Sequence, residues 1–200
     1  MTWGVFMSKD IVVRLREAVG PGPSPGAPGR TDTDACRELL ERLYGFYAPL
    51  EGRLAGYAHW TPLMFHKRRK TPLLGEDLWN LSEGQIALDA IALCRDLPDV
   101  TRLPAALGCV YAMESQTACD VSSGLKYFYG YGPLAEAMWQ SLEQLIRSCS
   151  SAEADELMVE GAQQTRYKLG QWMSAARAPV RPRADEAAFE GFPRIAMGVS

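Results

Sequence analysis

Residues 36–54 read CRELLERLYGFYAPLEGRL, and this stretch decides the fold class of the chain. Apolar residues recur in it at intervals of three and four, the spacing that puts them on one face of an α-helix. They are Cys36, Leu39, Leu40, Leu43, Phe46, Tyr47, Leu50 and Leu54. The pattern predicts a long amphipathic helix with its apolar stripe against a core, and residues 31–34 offer N-caps just before it.

The same helical spacing recurs along the rest of the chain. It predicts helices at 11–19, 73–81, 103–117, 134–149 and 152–176, and one that follows Ser82. In the helix after Ser82 we expect Ile86, Ile91 and Leu93 to face inward. In the last helix we expect the inward residues to be Leu157, Ala162, Tyr167, Leu169 and Trp172. No stretch alternates as a strand would, so the fold class is all-α.

Glycine and proline divide the chain into three parts. Residues 20–29 hold four prolines and four glycines, which no helix accommodates. We therefore predict a short helix plus a flexible Gly/Pro-rich segment over 1–30, a helical domain over 31–176 and a loose tail over 177–200.

The composition excludes several classes of protein. The chain has 200 residues, 47% of them hydrophobic, and a formal net charge of -3. We interpret the basic run at 66–70 as a solvated helix face or turn. No second basic stripe accompanies it, so nucleic-acid binding is not expected. No apolar stretch reaches membrane-spanning length, and residues 1–7 lack the pattern of a secretory signal. Five widely spaced cysteines fit reduced thiols in the cytoplasm, and with only two histidines a metal site is not expected.

Four short sequence motifs, which we call words, carry more information than helical periodicity does. They are LYGFYAPLE at 43–51, RRKTPLLGEDL at 68–78, LPAALGCVYAME at 103–114, and FYGYG at 128–132 followed by Met138 and Trp139. In this order they resemble the bacterial, biliverdin-producing heme oxygenase family. The resemblance covers roughly residues 35 to 175 and implies a heme oxygenase-like multi-helical bundle.

The resemblance also implies a function. Heme would lie between two helices and be cleaved with O2 to biliverdin, carbon monoxide and iron. Most of this chemistry belongs to the cofactor itself. Electrons would come from an external reductase, and a bacteriophytochrome could accept the biliverdin. Arg16 falls where the family has a basic residue near a heme propionate, although a solvated arginine is an equal alternative. Tyr111, Phe128 and Tyr129 are expected as heme-pocket or core aromatics.

The chain departs from the family at both faces of the expected heme. Pro23 stands where the ligand histidine should be, and proline has no lone pair for iron. Ser115, Cys119 and Asp120 stand where the family has glycines that let the backbone approach the heme. The stretches 19–43 and 114–128 are also shorter than in the family. No catalytic residue is carried over for these reasons.

Three interpretations remain open at this point. The chain is an active oxygenase with a substitute ligand, or a non-catalytic relative that binds heme, a bilin or a protein partner, or the product of a decayed gene. His59 and His66 are expected at the surface, and Cys36 or Cys119 could ligate as a thiolate. The clean stripes at 35–54 and 134–173 favour a chain that still folds.

Overall fold

A computed structural model describes residues 10–20, 33–116 and 124–175 of the chain. Within these ranges the fold is all-helical and contains no strand. The eight α-helices are α1 Ile11–Val19, α2 Thr33–Leu54, α3 Phe65–Arg68, α4 Thr71–Leu81, α5 Leu103–Ser115, α6 Lys126–Tyr129, α7 Ala135–Ser148 and α8 Ala152–Ser174. No helix in the described ranges is long and apolar enough to cross a membrane. The Gly/Pro-rich run beyond Gly20 and the tail at 177–200 lie outside the described residues.

Local signals set both ends of α1. The Asp10 carboxylate accepts a hydrogen bond from the Val12 amide at 2.8 Å, which caps the helix start. Gly20 ends the helix with φ of 55°, a value that favours glycine. The buried residues of α1 are Ile11, Val12, Leu15 and Val19. They pack α1 against α8, α7 and α5, and the bounds predicted for this helix are confirmed.

Helix α2 continues through Pro49, and the sequence compensates for the amide that proline lacks. The carbonyl of Gly45, four residues earlier, has no helical donor as a result. The Cys94 amide donates to this carbonyl instead, at 2.8 Å. Gly45 also leaves room for the approach, because a Cβ there would lie 2.3 Å from the Ala92 oxygen. Gly45 and Pro49 together form a docking point for residues 92–94.

The helix predicted after Ser82 is wrong. Residues 82–102, which we call the crossing segment, run over α2 without an α-helix and contain one 3-10 turn at Leu88–Ala90. Glu83 and Gly84 have φ of 50° and 78°, so the chain turns away at the end of α4. Ile86 and Ile91 are half-buried as expected, but Leu93 is 50% exposed. The hydrogen bond from Cys94 to Gly45 replaces helical bonding there.

Helices α5 and α8 form the centre of the fold. From Ala106 to Glu114 every residue of α5 is buried. Its backbone lies directly on α8, since a Cβ added at Gly108 would sit 1.8 Å from the Met158 oxygen. One added at Gly161 would sit 2.3 Å from the Ala105 oxygen. This contact therefore depends on glycine in both helices.

The last two helices match the prediction in extent and differ in one detail. Helix α7 spans Ala135–Ser148 and α8 spans Ala152–Ser174, within a few residues of what the periodicity predicts. Tyr167 is 66% exposed, however, so its predicted inward position is wrong. The buried stripe of α8 follows Asp155, Met158, Gly161, Ala162, Thr165 and Leu169 instead. Tyr167 lies two residues from both Thr165 and Leu169, a step of about 200° around the helix, so it is on the opposite side from this stripe.

Candidate functional site

The structure separates the four residues expected to bind the cofactor into two groups. Tyr111 on α5 is 1% exposed and packs on Trp139 with ring centroids 5.0 Å apart. Burial raises the pKa of the Tyr111 phenol, and a hydrogen bond with Arg16 acts in the opposite direction. Arg16 is mainly exposed and forms an ion pair with Glu143 at 3.5 Å. Arg16 and Tyr111 are thus neighbours.

Phe128 and Tyr129 lie on α6, which packs against α4. Phe128 is 1% exposed and meets the Tyr127 ring edge-on, with centroids 5.1 Å apart. Tyr127 in turn contacts Tyr47 of α2. Tyr129 is 44% exposed, and its ring covers the backbone of Gly132. These two residues belong to an aromatic group between α2, α4 and α6.

The described side chains of α1 and α5 offer no exposed ligand for heme iron. Helix α1 carries no histidine, cysteine, methionine or tyrosine. On α5 the side chains that could ligate iron are Cys109, Tyr111 and Met113, and all three are buried in the core, at 0%, 1% and 4% exposure. Burial also raises the pKa of the Cys109 thiol to about 12. Pro23, Cys119 and Asp120 lie outside the described residues. Ser115 ends α5, and its hydroxyl donates to the Ala112 carbonyl of the same helix at 2.8 Å.

The remaining candidate ligands lie away from the two helices expected to hold the heme. His59 and His66 are both exposed, as expected, and lie between α2 and α4. Cys36 is buried in the core on α2. None of the three lies on α1 or α5, the helices that correspond to the heme-binding pair in the resemblance.

The most distinctive polar feature is one that the sequence patterns did not indicate. Arg68, Lys70, Glu114 and Tyr131, which we call the charged cluster, meet in the interior although they come from three separate stretches of the chain. Lys70 is 1% exposed, Arg68 3% and Glu114 8%. The interpretation of 66–70 as a solvated surface is therefore wrong for Arg68 and Lys70, while His66, Lys67 and Arg69 are exposed.

Glu114 is the centre of the charged cluster. Its Oε2 lies 3.1 Å from Lys70 Nζ, and its Oε1 lies 3.5 Å from Arg68 Nη1. The Tyr131 hydroxyl donates to Glu114 Oε1, and Lys70 Nζ lies 4.3 Å from the centroid of the Tyr131 ring. Burial, followed by the Glu114 charge, raises the pKa of the Tyr131 phenol, which therefore stays protonated and keeps donating. Two cations are thus held around one carboxylate.

Arg68 connects the charged cluster to the surrounding backbone. Its Nε donates to the Leu63 carbonyl at 2.9 Å, and its Nη2 donates to the Met138 carbonyl at 3.1 Å and to Ser141 Oγ at 2.9 Å. Such a planar group with several donors suits one fixed geometry. Arg68 therefore fastens α7 to the segment before α4.

Two further buried carboxylates cap short helices near the charged cluster. Glu51 of α2 accepts from the Lys70 and Thr71 amides at the start of α4, and from Arg69 Nε at 3.2 Å. Asp77 of α4 accepts from the Lys126 and Tyr127 amides at 2.8 Å each, at the start of α6. Burial raises the pKa of Asp77, and these two hydrogen bonds oppose the shift. Negative charge at a helix start is favourable, so both carboxylates stabilise the junctions.

A separate open groove lies on the other side of α2. We call it the α2 groove; its volume is about 1280 Å3, and it lies between the first half of α2, the crossing segment and the end of α8. Arg42 of α2 forms part of its wall and donates to the Trp172 and Ala175 carbonyls that end α8. Trp172 Nε1 donates back to the Arg42 carbonyl at 2.7 Å. The groove does not include any of the four residues expected to bind heme.

Comparisons of the chain with protein-family models, with curated proteins and with solved structures found no match.

Proposed function

We propose that this chain is a heme oxygenase-like helical protein in which oxidation of heme is impaired, and that it acts as a non-catalytic binding relative of those enzymes. Two observations support it. The stretches that resemble the family meet in the interior of the fold, and the two helices expected to hold the heme offer no exposed iron ligand.

The words that resemble the family converge on the charged cluster. Glu51 ends the first word and binds the backbone where the second word begins, at Lys70 and Thr71. Glu114 ends the third word and pairs with Lys70. Tyr131 of the fourth word and the Met138 carbonyl complete the same cluster. Stretches distant in sequence thus form one interdependent unit of the fold.

The observation that carries the functional half of the proposal is the chemistry of the two expected heme-binding helices. Helix α1 offers no iron ligand, and the cysteine, tyrosine and methionine of α5 are all buried in the core. Tyr111, which would line the pocket, is covered by Trp139 and by α1. The described residues of α1 and α5 therefore pack against each other and their neighbours instead of lining an open slot for heme.

Optical titration of the purified protein with hemin, followed by ascorbate in air, tests the proposal. We expect no broad red absorption from a bilin to grow, while an active heme oxygenase assayed alongside gives it. A sharp Soret band at one equivalent without turnover would identify a heme-binding relative, and a broad spectrum that never saturates would identify a relative that has lost its cofactor.

Loss of the Soret band with growth of bilin absorption would overturn the proposal. A His59→Ala, His66→Ala double variant is the matched control, because it removes both histidines from exposed positions. If turnover occurs and the double variant abolishes it, one of these residues is the substitute ligand. The reductase and the bacteriophytochrome implied by the resemblance would then be the partners to seek.

A further inference from the structure

We propose that the α2 groove is a binding site for an amphipathic organic anion, a molecule with an apolar body and one carboxylate or sulfonate. This inference is independent of the heme proposal, because the groove shares no residue with the expected heme site. It rests on the shape, the surface and the unpaired charge of the groove.

The shape of the groove follows from how the crossing segment is attached. The Cys94 amide and the Ala92 carbonyl face α2 at Gly45. Backbone groups alternate in direction along an extended chain, so the amide and carbonyl of Leu93 point the opposite way. The segment is thus attached to α2 at Gly45, and it forms one wall of the groove. The resulting volume of about 1280 Å3 exceeds what a typical small-molecule pocket needs.

The lining of the groove is apolar where it meets the crossing segment and the end of α8. Ile86, Ile91, Leu93 and Trp172 contribute to it. Leu93 is 50% exposed, next to the half-buried Ile86 and Ile91. An apolar body placed against these side chains would remove their surface from water, which favours binding.

The charges around the groove leave one arginine free. Three acidic residues and three arginines line it, but most are already engaged. Arg37 pairs with Asp34 at 2.9 Å and lies 4.0 Å from Glu41, and Arg42 is bound to the carbonyls that end α8. Among the described residues Arg95 has no ion pair and is exposed, two positions after Leu93.

Arg95 therefore sets the charge of the ligand. Its guanidinium can bind a carboxylate or sulfonate through two parallel hydrogen bonds. Glu38, the remaining unpaired acid, lies on the opposite wall formed by α2 and disfavours a second negative group there. The arrangement selects a molecule whose single negative end lies at Arg95 and whose apolar part lies along Leu93 and Trp172.

Fluorescence titration with 1-anilinonaphthalene-8-sulfonate, a flat aromatic molecule with one sulfonate, tests the site on the full-length protein. We expect saturation at one equivalent and displacement by decanoate, but not by decanol at the same concentration. Arg95→Gln should weaken binding about fivefold, since an exposed charged hydrogen bond is worth about 1 kcal/mol. Leu93→Ser should weaken it by a similar factor through lost apolar contact.

Matched controls keep the test specific. Lys67→Gln removes an exposed positive charge outside the groove, and Leu134→Ser removes a side chain that is 65% exposed outside the groove. Both should bind the probe like the unmodified protein. Binding that does not saturate, or that weakens equally in Arg95→Gln and Lys67→Gln, would overturn the proposal. Unchanged melting temperatures would show that each variant is folded.

Discussion

The two ends of α5 are held in the fold by opposite means. Near its start, the Ala105 backbone lies against Gly161 of α8, and further along Gly108 lies against the Met158 backbone, with no side chain between the helices. At its end, Glu114 is held by two buried cations and a phenol. The first contact depends on shape and excludes even one added carbon, whereas the second depends on charge and tolerates little change in protonation. A single helix thus shows how packing and ion pairing impose different constraints on sequence.

The largest expected effect is at the charged end. Glu114→Gln removes the carboxylate and leaves Arg68 and Lys70 buried without a counter-charge. Breaking a buried ion pair by removing one partner costs about 3–5 kcal/mol, so we expect a loss of this size in the free energy of unfolding. Urea denaturation followed by circular dichroism measures it.

Glu38→Gln is the matched control, because Glu38 is exposed, and it should change stability by less than about 0.5 kcal/mol. Adding Lys70→Met to Glu114→Gln should recover part of the loss, since it removes one of the stranded charges. If Glu114→Gln unfolds at the same urea concentration as the unmodified chain, the cluster contributes no net stability.

The next effect is at the shape-dependent end. Gly108→Ala places a methyl group 1.8 Å from the Met158 oxygen, so α5 and α8 must move apart. Overpacking of this kind costs about 1–3 kcal/mol, and the contact with backbone rather than a flexible side chain puts this variant at the upper limit. Thermal denaturation should show a clear fall in Tm.

Gly170→Ala tests whether the effect is specific to the contact. Gly170 lies within α8, and nothing is within 4 Å of a Cβ added there. Alanine should stabilise this position by about 0.5–1 kcal/mol, because it restricts the unfolded chain more than glycine does. Opposite signs for the two variants are expected, and the same sign would contradict the close packing of α5 on α8.

The smallest effect concerns the phenol of the charged cluster. Tyr131→Phe removes the hydrogen bond to Glu114 and should cost about 1–2 kcal/mol at neutral pH. Burial and the Glu114 charge raise the pKa of the Tyr131 phenol above its ordinary value of 10.0. The folded state therefore holds this proton more tightly than the unfolded state, and the resulting stability is fully present below pH 10.

This stability is lost as the pH rises above 10 toward the folded-state pKa. The gap between the unmodified chain and Tyr131→Phe should accordingly shrink under alkaline conditions, as measured by urea denaturation at a series of pH values. Tyr167→Phe, at a position that is 66% exposed, is the control and should change stability at neutral pH by less than about 0.5 kcal/mol. A constant gap from pH 8 to pH 11 would mean that Tyr131 is not buried beside the carboxylate.

The sequence could predict those parts of the fold that depend on residues close together in the chain. Asp10 and Gly20 are local start and stop signals, so both ends of α1 were predictable. The crossing segment was not, because its path depends on the Gly45 carbonyl that Pro49 leaves without a donor. The apolar spacing after Ser82 resembles a helix only when this distant acceptor is ignored.

The polar site was harder to predict for the same reason. A run of basic residues ordinarily indicates a solvated face, and nothing within 66–70 reveals that Glu114 neutralises two of its members. Tyr167 was misplaced because its two-residue spacing from Thr165 and Leu169 puts it opposite the buried stripe of α8. The close contact at Gly161 depends on the Ala105 backbone of α5, which no local pattern within α8 reveals.

The dependence of α5 on α8 also affects how the chain reaches its fold during synthesis. Ribosomes make the N-terminus first, so the apolar faces of α1 and α5 are synthesised before residues 152–174 exist. Both faces then lack the surface on which they pack, and a nascent chain in this state is prone to aggregation. Termination before α8 would therefore yield a chain that chaperones must hold or proteases remove, rather than a smaller stable domain.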